Sequence, residues 1–529
     1  MGIYLNPSNE NFKETIGSKI YVDKTLMIAV LNDIMQTANK YVCVSRPRRF
    51  GKTIAGNMLS AYYSKGCDSR ELFAPFKISR DPGFESNLNK LNVIKIDMNS
   101  EYQNEREKDR LLDKLQDRIV GEFAAQFPDI SFDQKDSVGN CILKAYAEKR
   151  ERFVVIIDEY DVLVRESVSQ ELFSQYLGFL NGLFKSDTLR PAIALAYITG
   201  ILPVVRDRVQ SKLNNFREYT ILDAGRLAEF IGFTAPEVRA LCGEYGADFG
   251  EYKRWYDGYS QRGFEIYNPE SVVMSLEDGK CGSYWGKTST YAVIADRIRA
   301  NFAGTKDDVV RMLAGESVDV NVTMFMNTMT EFTGKDDVFT YLIHLGYLAY
   351  DSEEGTCRIP NREVLQEWKN AVSVVDEYAV TNRIIRASKE LLAETLRMNG
   401  EAVARSLDES HIHVTSNRSY NNEDALQSAI YLSYIYALNK YTIVKEMTAG
   451  KGFADVVFIP FVPDIPAMVI ELKRNGSAGS AITQIREKKY FDSLSAYSGN
   501  LLFVGINYDE KTKTHGCRIE RLQKEQGSR

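Results

Sequence analysis

A chain of 529 residues is too long for one hydrophobic core, so roughly two to four domains are expected. Its 44% hydrophobic and 26% charged content is that of a soluble globular protein, with no apolar run long enough to span a bilayer. The net charge of −6 excludes nucleic-acid binding through bulk electrostatics and leaves it to local basic surfaces.

The N-terminus, MGIYLNPSNENFKETIG, lacks the charged-then-apolar layout of a secretory signal. Asn6 stands where a myristoylation signal needs Ser or Thr. A cytoplasmic location is expected. The first region, 1–290, alternates apolar runs at 40–44, 93–98, 153–158 and 192–199 with helical stretches. That is the pattern of a parallel sheet with helices on both faces.

The first of these strands runs into SRPRRFGKT and then a helix over 54–63. A strand, a Gly-Lys-Thr turn and a helix N-terminus form a phosphate cradle, because unpaired N–H groups and the helix dipole attract anionic oxygens. Lys52 is placed to reach the β- and γ-phosphates of ATP, Thr53 to ligate Mg2+, and Gly51 to let the backbone approach. Arg48 and Arg49 add positive charge and count among the nucleotide-binding residues. The loop has Arg46 where the standard pattern has glycine, and Pro47 stiffens it.

A second half of the site follows about 100 residues on, the spacing such a motif pair needs. FVVIIDEYD is an apolar strand ending in carboxylates. Asp158 is expected to hold Mg2+ and Glu159 to act as general base toward water, with Asp161 in reserve. IALAYITG then places Thr199 as a polar sensor of the γ-phosphate, and Arg206 and Arg208 follow as either sensing arginines or a solvated helix face.

The second region, 291–405, is mostly helical. A helix over 338–348 ends near Gly346, and LAYDSEEGTCRI reads as a hairpin turning at Glu354-Gly355, a winged-helix-like succession. The third region, 406–529, reads as an α/β domain. It has a helix over 422–438, strands at 441–446, 454–459, 467–472 and 500–506, and a helix over 481–494. The alternation of His411 and His413 across Ile412 reads as one face of a strand. Seven scattered cysteines without a CxxC pair argue against a disulfide framework or a structural zinc site.

Within the third region, Asp455 lies early in one strand, and Glu471 and Lys473 share a face at the end of the next. Two carboxylates suit Mg2+, and the lysine suits a scissile phosphate. Glu423, on the preceding helix, is a further metal-ligand candidate, with Gln484 and Tyr490 in support. Lys451, Lys473, Arg474, Arg486, Lys488 and Lys489 offer a local phosphate-binding surface.

The motifs YVDKT, SRPRRFGKT, IIDEYD, YITGI, LNNF, IGFTAPEV, WYDGY, IYNPESV and SYWGKTST, followed by NNEDALQSAIYL, GKGFADVVF, IELK and QIREKKY, together resemble a bacterial family. That family joins an AAA-ATPase-like N-terminal domain to a C-terminal PD-(D/E)XK nuclease-superfamily domain. The resemblance runs from about Tyr21 to about Ile506. It implies a P-loop NTPase sheet at 1–290, a helical, winged-helix-like middle at 291–405, and a restriction-endonuclease-like α/β domain at 406–529. The family shares the arginine at the first Walker position, whereas Phe453 replaces the arginine it tends to carry two places before the Asp.

The expected function is an ATP-binding and ATP-hydrolysing protein whose nucleotide state controls a Mg2+-dependent nuclease acting on nucleic acid. Its catalytic residues are Glu159, Asp455, Glu471 and Lys473. The alternative is a non-catalytic ATP-dependent signalling or scaffold protein using a degenerate nuclease fold for binding. A protein partner or self-association stays open.

Overall fold

The computed structural model describes residues 2–133, 135–166, 168–204, 213, 215–287, 291–325, 332–414, 430–449, 452–462, 464–487 and 501–522. The chain divides into two compact units. One comprises Met1–Thr290 with Asp319–Leu365; the other comprises Tyr291–Val318 with Gln366–Arg529. No helix among the described residues is long and apolar enough to cross a membrane.

The first unit is built on five strands, β1 (Tyr41–Ser45), β2 (Asn92–Asp97), β3 (Phe153–Asp158), β4 (Ile193–Gly200) and β5 (Arg217–Tyr219). They lie in the order β2-β3-β4-β1-β5, every pair parallel. β1, β3 and β4 are buried along their whole length. Covering both faces with helices is what makes such strands continuous apolar runs rather than alternating ones. The covering helices include α1 (Lys52–Tyr63), α2 (Leu111–Gln126), α3 (Val138–Lys149) and α4 (Gln170–Phe184).

The register brings three polar strand ends and the end of β1 to one level. Asp97 pairs with Asp158, Ile157 with Ile198, and Val44 with Thr199. Asp97, Asp158, Thr199 and the loop after β1 therefore share the carboxyl edge of the sheet, where open α/β sheets receive ligands.

Two motifs of this unit prove to be packing devices. Gly258 of WYDGY has φ +119°, and a Cβ there would stand 2.3 Å from the Pro360 carbonyl oxygen; the Tyr259 hydroxyl donates to the Gly346 carbonyl. Asn268 of IYNPESV caps α5 (Pro269–Asp278), accepting from the amides of Glu270 and Ser271. The expected helix ending at Gly346 is present over Lys335–Leu345 with a left-handed Gly346, and the hairpin Ala349–Asp351 with Thr356–Arg358 follows it.

The second unit contains α6 (Ala379–Leu396) and α7 (Gly400–Val414), a five-stranded sheet and α8 (Ala478–Glu487). The strands are β6 (Tyr441–Ala449), β7 (Gly452–Pro460), β8 (Ala467–Arg474), β9 (Leu501–Asp509) and β10 (Thr514–Leu522), in that order across the sheet. All neighbours are antiparallel except β8 and β9, the parallel pair that flanks α8 in sequence.

Two sequence expectations are corrected here. His411 and His413 lie in α7, not in a strand; the buried Val403 and Leu407, four apart, set a helical period that two alternating histidines do not outweigh. The sheet also has a fifth strand, β10, whose sequence THGCRIERL is too polar to stand out as an apolar run. Of the helix expected over 422–438, residues 422–429 lie outside the described residues, as do 488–494, and the chain ends that stretch in a 3-10 helix over Ile435–Asn439.

Candidate functional sites

At the carboxyl edge of the first sheet lies a cavity of about 900 Å³, lined by Arg48, Arg49, Gly51, Lys52, Thr53, Asp158 and Glu159 among others. Gly51 has φ +89°, and a Cβ on it would meet nothing within 4 Å. It precedes the 12-residue α1, whose first amides have no intrahelical acceptor. The donors and the space suit a polyphosphate.

Arg46, the residue that departs from the standard loop, does not fill the cradle. Its guanidinium is wholly buried and turned toward β5, where Nη1 donates to the carbonyls of Ser45 and Tyr219, both at 2.8 Å. Nε and Nη2 have no hydrogen-bond partner among the described residues. Burial pushes its pKa down to about 10. Arg46 therefore pins the start of the loop to the neighbouring strand.

Lys52 is buried, at 5% exposure, and not solvated as a free phosphate-site lysine would be. Its Nζ donates to the carbonyls of Arg46 at 3.0 Å and Pro47 at 2.9 Å, because the loop folds back over it. Burial lowers its pKa, and Glu159 and Asp158 oppose that shift.

Asp158 is buried and accepts from the Thr199 hydroxyl, so the acid and the sensor strand are joined directly. Glu159 turns out of the strand with φ +51°, a conformation rarely adopted by residues with a side chain. Burial raises its pKa, with Lys52 opposing. Its carboxylate is paired with Arg165 Nη2 at 2.5 Å. Thr53 is exposed, and Arg49 is paired with Glu270 at 3.3 Å.

Asp161 is not a reserve base. It is wholly buried, and Oδ2 accepts from the amides of Ile201 and Leu202 and from Arg165 Nε at 3.1 Å. Sequence reading missed Arg165, although its spacing of four from Asp161 is that of a helical ion pair. It also missed Asp97, which lines the cavity. Arg206 and Arg208 lie outside the described residues.

In the second unit, strand parity decides the geometry. Val456 and Phe458 pack in one core with Ile470 and Leu472; Val457 packs in another with Val469 and with Ile482 and Ile485 of α8. Asp455 shares the parity of Val457, and Glu471 and Lys473 share that of Val469. All three therefore belong to the face that α8 covers, with Asp455 one step beyond the paired Val456 and Ile470.

Asp455 Oδ2 accepts from the Leu472 amide at 2.7 Å. Glu471 is 1% exposed. Its Oε1 accepts from Lys473 Nζ at 3.2 Å and from Gln484 Nε2, and Lys473 Nζ also donates to Gln484 Oε1. Two hard carboxylates and a lysine suit a divalent cation and a phosphate. No group of three or more His, Cys, Asp and Glu suited to a metal occurs among the described residues. Glu423, Tyr490, Lys451, Lys488 and Lys489 carry no described side chain. Arg474 and Arg486 are paired with Glu510 and Glu520, so the basic surface expected from them is partly neutralised.

Comparison with known proteins agrees with this division of chemistry. Residues 9–210 match the family described as "Predicted AAA-ATPase", and residues 421–517 match the PD-(D/E)XK nuclease superfamily. The chain joins an AAA-ATPase-like segment to a PD-(D/E)XK nuclease-superfamily segment. A protein of Azotobacter chroococcum mcd 1, described as "Uncharacterized protein in vnfD 5'region", is 22% identical over 517 residues, 93% of this chain and 94% of that one. Among solved structures, the Aeropyrum pernix ORC2 protein is 8% identical at a TM-score of 0.30, covering 67% of this chain and 96% of its own. Cdc6p of Pyrobaculum aerophilum is 10% identical at 0.26, covering 70% and 99%. Those TM-scores are too low to bear on function. The AAA-ATPase-like segment contains the loop, Asp158 and Thr199; the nuclease-superfamily segment contains Asp455, Glu471, Lys473 and Gln484.

Proposed function

We propose that the chain is a cytoplasmic ATPase whose nucleotide state controls a Mg2+-dependent nuclease acting on nucleic acid, with domains at 1–290, 291–405 and 406–529. The observation that carries the ATPase half is the carboxyl edge itself. The phosphate-loop lysine and Asp158 line one cavity, and Thr199, buried on the strand between theirs, donates to the Asp158 carboxylate from behind.

In this reading Gly51, Lys52, Thr53, Arg48 and Arg49 bind the phosphates. Thr53 and Asp158 hold Mg2+, whose charge neutralises the β- and γ-oxygens. Lys52 exchanges its loop carbonyls for phosphate oxygens, and Thr199 senses the γ-phosphate through Asp158. Glu159 takes the proton from water.

The nuclease half rests on Asp455 and Glu471 sharing a face with Lys473. The two carboxylates hold Mg2+, with Glu423 as a further ligand, and Lys473 places positive charge where the attacked phosphate gains negative charge. Gln484 orients both Glu471 and Lys473. The paired Arg474 and Arg486 favour a second reading, in which this face binds a protein partner and the chain signals without cleaving.

Nicking of supercoiled plasmid by the full chain with Mg2+, with and without ATP, separates the readings. Asp455→Asn keeps an acceptor for the Leu472 amide but lacks the charge, and is expected to lower nicking at least about 100-fold. ATP is expected to change the wild-type rate. Equal nicking by wild type and Asp455→Asn would remove the nuclease.

A further inference from the structure

Among the charged groups of the cavity to which the ATPase reading gives no role, Arg165 is the one paired with the proposed base. Arg165 closes the one-turn helix Val162–Arg165 directly after Asp158-Glu159 and lines the same cavity as Lys52 and Thr53. Its side chain is 9% exposed, far less than the 38% of Arg49 on the loop.

Two of its three nitrogens are engaged. Nη2 meets Glu159 Oε2 at 2.5 Å, and Nε meets Asp161 Oδ2 at 3.1 Å. Among the described residues Nη1 makes no hydrogen bond. Asp161 Oδ2 also accepts the Ile201 and Leu202 amides at the end of β4, two and three residues beyond Thr199. One guanidinium thus touches the proposed base and, through Asp161, the strand that carries the proposed sensor. Glu159 meanwhile holds a left-handed φ of +51°, an arrangement that persists only when the surroundings enforce it.

A carboxylate tied to a guanidinium is a poor proton acceptor. We propose that Arg165 is a γ-phosphate-contacting arginine supplied by the same chain, and that it restrains Glu159 until a nucleoside triphosphate draws it away. The proposal rests on the ATPase reading and adds to it a residue and an order of events. The γ-phosphate is a stronger anion than Glu159 and is the one feature that separates ATP from ADP. Drawing Arg165 to it releases the carboxylate only when the reactive nucleotide is present.

Hydrolysis then balances. The water oxygen forms the new bond to the γ-phosphorus, and its proton passes to Glu159. The bond to the β-phosphate oxygen breaks, with its electron pair leaving on ADP. Arg165 and Lys52 carry the charge that spreads over the γ-oxygens. Asp161 keeps Nε, so the arm swings about a fixed point.

The test uses the full chain and its Arg165→Ala and Arg165→Lys variants. Equilibrium binding of ATP and ADP is measured in the Glu159→Gln background to prevent turnover, and single-turnover hydrolysis is measured with Glu159 intact. Arginines at the γ-phosphate contribute about 10³–10⁵ in rate in other NTPases, so a loss of at least about 100-fold is expected for Arg165→Ala. ATP affinity should fall at least about tenfold while ADP affinity stays within about twofold, because only the γ-phosphate contact is lost. Added guanidinium ion should restore part of the Arg165→Ala rate, a rescue that a purely structural arginine would not give.

Equal losses of ATP and ADP affinity without rescue would overturn the proposal, as would unchanged hydrolysis. If Arg165→Ala does not fold, Arg165→Lys decides. A folded lysine variant with the wild-type rate and ATP preference overturns the proposal, and one that has lost both supports it. Wild type binding neither nucleotide would instead defeat the ATPase reading itself.

Discussion

The two candidate sites place carboxylates in opposite ways. In the AAA-ATPase-like segment the acids stand at strand ends, on the carboxyl edge of a parallel sheet, and face an open cavity. In the nuclease-superfamily segment they stand on the face of a largely antiparallel sheet, beneath a helix that supplies Gln484. An edge site needs only that strands end at one level, and its motifs carry their own turn and helix start. A face site needs the right parity on each strand and the right register between them, so a slip of one residue would destroy it.

Glu159 offers the largest test of the edge site. Removing the proton acceptor while keeping the shape, as in Glu159→Gln, should lower ATP turnover about 10²–10⁴-fold. ATP should still bind, as equilibrium binding with excess Mg2+ will check. Turnover near the wild-type rate would show that the edge works without this base and that its likeness to an ATPase site stops at binding.

A smaller effect probes how tightly the edge is built. A Cβ on Gly200 would stand 2.5 Å from Asp161 Oδ1, which leaves no room for even a methyl group. Gly200→Ala should cost about 1–3 kcal/mol in a urea unfolding series, the usual range for overpacking. A silent substitution would mean that Asp161 is free to move, and would loosen the link it makes between β3 and β4.

The smallest expected effect belongs to the second unit. His515 is buried beside Tyr508, with Nδ1 2.8 Å from Asp408 Oδ1. Burial lowers its pKa from 6.5, and Asp408 opposes this without reversing it. The folded state therefore binds its proton less readily than the unfolded chain. The associated stability is full above pH 6.5 and is lost as pH falls from there through the folded value. One such group changes stability by at most about 1.4 kcal/mol per pH unit. His515→Asn should flatten the stability of this unit between neutral and mildly acidic pH. An unchanged slope would place the acid sensitivity elsewhere.

The edge site was the more legible of the two in the sequence. FVVIID and IALAYITG are fully buried strands and read as such, and the loop announces its own turn. Whether Arg46 blocks the cradle was not legible, because its partner Tyr219 lies 173 residues further on. The burial of Lys52 was hidden for a related reason, since it depends on how the loop closes over the side chain. At the face site, Glu471 and Lys473 follow from alternation within one strand. Their sharing of a face with Asp455 depends on the pairing of Val456 with Ile470, which no local pattern encodes. β10 escaped notice because its charges hide an edge strand.

The most direct test of the account is calorimetric titration of ATP with Mg2+ into wild type and Lys52→Ala. Truncation removes the phosphate partner and also leaves the Arg46 and Pro47 carbonyls without their donor, at a cost of about 1–3 kcal/mol in stability. The account predicts one saturable site in wild type. In a Lys52→Ala protein shown to be folded by circular dichroism, it predicts affinity at least about 100-fold weaker. Equal affinity in the two proteins would contradict it, because the edge would then bind nucleotide without the residue around which its loop is folded.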